Sequence, residues 1–233
     1  MKVTYIHHSS FLVELEHVLL LFDYFNGTLP EMAQEKPLYV FASHFHADHY
    51  APVIFKLSEN RDNVYYILSK DIKKRDVPKA LYDHVRFVGA GEKFTMEPGT
   101  VTAETFKSTD EGVAFWVSCE EKELYHAGDL NNWWWEGEDK AWNHNMEANY
   151  KREVEKMAGR EADAAFVPVD PRLQEQFYYG LDGFMNKVSA KAVFPMHFWK
   201  DYSIIEKMKQ HPCSETYRET IMDIHREGEE FTL

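Results

Sequence analysis

Cysteine is scarce: Cys119 and Cys213 are the only two among 233 residues. Two thiols imply no disulfide framework and fit a reducing compartment, so the expected location is cytoplasmic. A long apolar run is also missing. No stretch reaches the roughly 18 apolar residues of a membrane span. Met1-Lys2-Val3-Thr4-Tyr5-Ile6 opens directly on a strand pattern, without the apolar core of a signal peptide. Positive charge is short, with 26 Lys and Arg against 39 Asp and Glu and a formal net charge of −13. That balance disfavours nucleic acid as a partner, because affinity for phosphates comes from clustered cations. The one basic stretch, Lys70, Lys73, Lys74 and Arg75, reads as a solvated face. Gly89, Gly91 and Gly99 are scattered and make no phosphate-cradling loop. No G-x-S-x-G elbow is present, which argues against a serine hydrolase. Linkers, repeats and low-complexity segments are absent, so residues 1–233 are expected to form a single domain.

What is present is apolar and aromatic. Hydrophobic residues make up 44% of the chain and aromatics 15%, enough for a folded core. Strands are predicted over about 3–6, 10–15, 18–22, 38–43, 63–68, 85–88, 101–106, 113–119, 122–126, 164–169 and 192–196. Phe11, Val13 and Leu15 alternate with Leu12, Glu14 and Glu16, the period of a half-buried strand, and Glu16-His17 suits a hairpin turn. Met146, Tyr150, Val154, Met157 and Ala158 form a helical stripe that Gly159 should stop. Ser203 and Ser214 are each expected to cap a further helix, the second with Tyr217, Ile221 and Met222 on one face.

The chemistry concentrates in His44-Phe45-His46-Ala47-Asp48-His49. Neutral imidazoles and carboxylates are ligands that Zn²⁺, Fe and Mn²⁺ accept. The preceding run, Leu38-Tyr39-Val40-Phe41-Ala42-Ser43, reads as a buried strand, which puts the cluster at a strand's carboxyl end, where α/β enzymes place ligand-binding loops.

This pattern resembles the metallo-β-lactamase superfamily of metal-dependent hydrolases. Later segments extend the resemblance in the same order: Asp129 in His126-Ala127-Gly128-Asp129, His197 after Val193-Phe194-Pro195-Met196, and a structural Asp23 after Leu19-Leu20-Leu21-Phe22. The resemblance implies an α+β fold, the four-layer αββα sandwich of that family. It implies His44 and His46 in a first metal site, Asp48, His49 and His197 in a second, and Asp129 bridging the two. Asp48 would also act as the catalytic general base. One family histidine is missing between His49 and Asp129: His84 lies too early, and the expected position falls near Asp110. Either Asp110 or water would then complete the first site. The expected cofactor is Zn, with Mn or Fe as alternatives, at one or two ions per chain and nearer one. His8 resembles a turn histidine in the branch containing ascorbate-6-phosphate lactonase, which gives it a supporting or substrate role. His126 and Trp133 are further candidates for such roles.

The function so implied is hydrolysis of a small ester, lactone or phosphoester by metal-bound hydroxide. The alternative is a degenerate, non-catalytic member that binds a metal or metabolite, and a nuclease comes third. A small-molecule substrate is the expected partner, with no membrane. A homo-oligomer stays open, because at least one of Trp133, Trp134 and Trp135 should either line the pocket or meet a partner chain.

Overall fold

Alternating and continuous apolar runs build two sheets. The computed structural model describes residues 1–96 and 101–233; Gly99 lies outside them. The first sheet begins with β1 (Lys2–His7), β2 (Ser10–Glu14), β3 (Leu19–Phe22), β4 (Leu38–Ala42), β5 (Val64–Ser69) and β6 (Val85–Val88). The chain continues with β7 (Lys93–Met96), β8 (Val101–Lys107), β9 (Val113–Cys119), β10 (Lys122–His126) and helix α1 (Lys140–Glu155). Then come β11 (Glu161–Ala162), β12 (Ala164–Pro168), α2 (Tyr179–Met185), β13 (Ser189–Ala190), β14 (Val193–Met196), α3 (Ser203–Gln210) and β15 (Glu229–Thr232). The sheet orders are β15-β1-β2-β3-β4-β5-β6 and β14-β12-β10-β9-β8-β7, with β11 and β13 forming a small pair.

Strands β3 to β6 run parallel, as do β10, β12 and β14. Such strands end on the same side, and their exit loops gather along one rim. The sheets face each other through aromatic rings. Phe11 lies 4.5 Å from Phe166, and Phe41 lies 5.2 Å from Phe115. Burying each such ring contributes about 1.5–3 kcal/mol. Outside the second sheet, Phe184 of α2 stacks on Tyr125 at 4.6 Å, and Tyr150 and Val154 of α1 join the same core. Outside the first sheet, Leu12, Leu21, Val40 and Leu68 pack on Ile54 and Phe55 of a 3₁₀ segment, Pro52–Ser58. The result is the expected α+β sandwich, with 3₁₀ turns rather than α-helices as the outer layer on that side.

Two expected caps are corrected. Ser203 is already the first residue of α3, and its hydroxyl bonds Asp201 Oδ1 at 2.5 Å. No α-helix follows Ser214, whose Oγ instead donates to the carbonyls of Lys209 and His211 inside a short 3₁₀ turn. The apolar Ile221 is drawn into a bridge with Val193 at the sheet edge, so sheet pairing overrides the helical spacing. Cys119 and Cys213 form no disulfide. No helix among the described residues is long and apolar enough to cross a membrane.

Candidate metal centre

The residues that could bind metal sit where strands end. His44, His46, Asp48 and His49 follow β4; His8 follows β1; Asp110 lies between β8 and β9; Asp129 follows β10; His197 follows β14. Two of these positions, and Asp23 after β3, turn the chain sharply: His8, Asp23 and His197 have φ of 53°, 44° and 66°. Positive φ is uncommon for residues with a Cβ and costs about 1–3 kcal/mol where the surrounding structure imposes it.

The eight side chains form two groups, in each of which the ligand atoms lie within 4.8 Å of one another: His44, His46, Asp110 and Asp129, and His8, Asp48, His49 and His197. Asp129 faces both. Its Oδ2 is 3.5 Å from His44 Nε2, and its Oδ1 is 3.1 Å from His49 Nε2 and 3.4 Å from His197 Nε2. His8 Nε2 lies 3.6 Å from Asp48 Oδ2, and His46 Nδ1 lies 3.5 Å from Asp110 Oδ2. The second group is almost wholly buried, whereas His46 and Asp110 are partly open to solvent.

Buried carboxylates orient these rings. Asp23 accepts from Ser43 N at 2.7 Å and Ser43 Oγ at 2.6 Å, and it holds His49 Nδ1 at 2.8 Å. Ser43 Oγ also lies 2.9 Å from His44 Nδ1. Asp170 holds His197 Nδ1 at 2.8 Å and is itself gripped by Arg172, with Nη2 at 2.5 Å. In each case the Nδ1 side is occupied and Nε2 is aimed inward, the arrangement that fixes a ligating imidazole. Burial pushes His44 and His8 down to about 4, so both are neutral at pH 7 with a lone pair available. Burial would also raise Asp129, but its interactions with His49, His197 and His44 outweigh it and hold the carboxyl well below the usual range. Asp129 and Asp23 in turn carry His49 well above its ordinary value against its own burial.

The inward atoms are unsatisfied. His8 Nδ1 and Nε2, His44 Nε2, His49 Nε2, Asp129 Oδ1 and His197 Nε2 are buried without a hydrogen-bond partner among the described residues. Each such atom left bare costs about 1–3 kcal/mol. A convergent set of bare imidazole nitrogens and a carboxylate fits divalent cations by its donor chemistry.

The other candidates separate. His126 lends no atom to either group: its Nε2 meets Ser9 O at 2.9 Å and its Nδ1 accepts from Gly128 N at 3.1 Å, which shapes the turn into Asp129. His84 stands apart, with Nδ1 3.0 Å from Val64 O. Trp133 and Trp135 stack at 6.0 Å and line a cleft of about 380 Å³ with His46, Asp48, Asp110, Asp129, Trp142, Met146, Arg172 and His197. Trp134 turns away, onto His144 and Tyr179. Sequence reasoning missed Asp170 and Arg172. A signal existed, since Asp170 follows a buried strand just as Asp23 follows β3.

Gly112, with φ of 69°, lets the β8–β9 loop touch the β4 exit: a Cβ there would lie 2.0 Å from Ser43 O and 2.6 Å from His44 Cβ. Gly112→Ala is therefore expected to destabilise the fold by about 1–3 kcal/mol and to displace His44. Thermal unfolding and metal content would show it, and wild-type values in both would refute the contact.

Comparison with known proteins agrees with this geometry. The family described as "Beta-lactamase superfamily domain" matches residues 2–197. A UPF0173 metal-dependent hydrolase of Alkaliphilus metalliredigens (strain QYMF) is 25% identical over 213 residues, or 85% of each chain. Among solved structures, Igni18, a metallo hydrolase of Ignicoccus hospitalis, superposes with a TM-score of 0.62 at 16% identity, over 100% of this chain and 98% of its own. The metallo-β-lactamase fold protein YhfI of Bacillus subtilis does so at 0.60 and 14% identity, over 99% of both chains. These two likenesses speak to the fold. With motif order, fold and family match in agreement, the chain belongs to the β-lactamase superfamily, among relatives that are metal-dependent hydrolases.

Proposed function

We propose that the chain hydrolyses a small ester, lactone or phosphoester, with one metal ion held by each four-residue group. The observation that carries this reading is the set of buried imidazole nitrogens and one carboxylate oxygen without partners, of which those of Asp129 and His197 belong to residues lining the cleft. Ions bound there would lower the pKa of a coordinated water towards neutrality and polarise a carbonyl or phosphoryl oxygen. The chain's own part is to orient and exclude. Asp23 and Asp170 lock the imidazoles, and Trp133 and Trp135 keep one wall dry. Asp48 is half-buried and lines the cleft; contact with His8 and the charge of His49 lower its carboxyl against its burial, so it stays ionised there and can accept a hydrogen bond from a nucleophilic water as general base.

The donor set of the second group, three imidazoles and a carboxylate, suits Zn. The first, with two imidazoles and two carboxylates, accepts Mn or Fe as well. A stoichiometry near one ion rested on the absent histidine. Asp110 offers a ligand atom in its place, so we propose two, and the non-catalytic reading loses its main support. The two unbridged cysteines favour the cytoplasm.

The test is elemental analysis after exhaustive dialysis, joined to turnover of aryl esters, lactones and phosphodiesters. Wild type should retain two ions and Asp110→Ala nearer one, with hydrolysis abolished by chelation and restored by metal. Protein carrying two ions that turns over none of the three classes would overturn the proposal.

A further inference from the structure

The cleft has one cation. Arg172 is the only lysine or arginine among its described lining residues, which include Asp48, Asp110 and Asp129. Its side chain is half exposed although it is firmly held. Nε lies 3.0 Å from both oxygens of Asp170, and Nη2 lies 2.5 Å from Oδ2. That grip uses one edge of the guanidinium. Among the described residues nothing accepts from Nη1. The guanidinium lies near two indoles, its Cζ 5.7 Å from the Trp135 ring and 5.9 Å from that of Trp199. A planar cation fixed in this way has already lost its conformational freedom, so a second acceptor can be bound at little further entropic cost. Beside it Trp133 and Trp135 lie 4° from parallel, with Trp142 and Met146 completing an apolar wall.

We propose that Arg172 is a specificity-determining residue that selects substrates bearing a carboxylate or phosphate distinct from the scissile bond, with a planar or apolar portion lying along the Trp133–Trp135 wall. The proposal rests on reading the cleft as a hydrolytic site, and it deepens that reading by naming the substrate class. In a chain of net charge −13, a single positioned guanidinium at the cleft counters repulsion that would otherwise exclude anions. Carboxylate and phosphate both match its fork.

Non-hydrolysable probes separate this from turnover. Zinc-loaded protein is titrated calorimetrically with phenylacetate, phenylphosphonate and neutral phenylacetamide. Wild type should bind at least one of the anions at least about tenfold more tightly than the amide, the scale of a charge-assisted contact. The anion that gains more identifies the natural headgroup. Arg172→Gln should abolish the preference while leaving affinity for the amide and metal content unchanged. Trp135→Ala should weaken all three ligands alike. Anions that bind Arg172→Gln as tightly as wild type would be going to the metal ions instead, and that would overturn the proposal, as would a wild type that does not distinguish anion from amide. Should Arg172→Gln also shed metal, the titration is repeated with zinc in excess: an anion preference that returns with the metal overturns the proposal, and one that stays lost supports it. None of these readouts requires hydrolysis, so the proposal can fail while the hydrolase reading stands, and the reverse.

Discussion

Asp129→Ala should empty the first group of metal, weaken binding at the second and lower hydrolysis by more than about a hundredfold, the upper range for losing only a supporting partner of a ligand. The reason is geometric. One carboxylate places Oδ2 3.5 Å from His44 Nε2 and Oδ1 3.1 Å from His49 Nε2, and it is buried between the two groups. Among the described residues no other carboxylate lies within 4.0 Å of imidazoles from both groups. Asp129→Asn keeps the shape and one oxygen but loses the charge, and it should fall between alanine and wild type. Elemental analysis gives the primary readout. Two ions retained by Asp129→Ala would show that this carboxylate does not join the groups.

Asp23→Ala should be the most damaging change to stability. It strands three buried partners at once: Ser43 N, Ser43 Oγ and His49 Nδ1. Breaking a buried charged pair by removing one member costs about 3–5 kcal/mol, and metal affinity should fall about 10–100-fold as His49 loses its orientation. The pH dependence follows from the direction of its shift. Burial would raise the Asp23 carboxyl, but His126, His49 and His44 together lower it. Its contribution is therefore fully present above the ordinary carboxylate value of about 4, and it is lost as pH falls further, through the lowered value of the folded state. Urea titrations of metal-free protein at neutral pH and near pH 3 check this: the gap between wild type and Asp23→Ala should narrow in acid. Equal midpoints at neutral pH would refute the role given to Asp23.

The sandwich was largely readable because long apolar runs ending in His or Asp leave few alternatives. β6, β9 and β10 coincide with their predicted spans. What escaped was set by distant partners or by backbone turns. β15 pairs Thr232 with Lys2 across nearly the whole chain, and its residues carry only Phe231 as an apolar signal. β11 and β13 are two residues each, too short for any periodicity. His8 joins the second group because the chain bends through φ of 53° there, a conformation that an ordinary histidine does not announce. Asp110, one of the two alternatives expected at the first site, is brought to that group by Gly112, which lets its loop close onto Ser43. Local pattern thus located the strand ends, while loop geometry decided which side chains meet there.

Each four-residue group draws on both sheets. His44 and His46 follow a strand of the first sheet and meet Asp110 and Asp129 from the second; His8, Asp48 and His49 of the first meet His197 of the second. Ions seated there would act as rivets through the rim of the sandwich, and separating the sheets would mean releasing them. A ligand that binds only the folded form adds about 2.7 kcal/mol at a hundredfold excess over its dissociation constant. The lifetime of this protein against proteases then becomes a function of free metal in its surroundings. Metal starvation would thin out the protein itself as well as silence its site, coupling abundance to supply with no separate regulator.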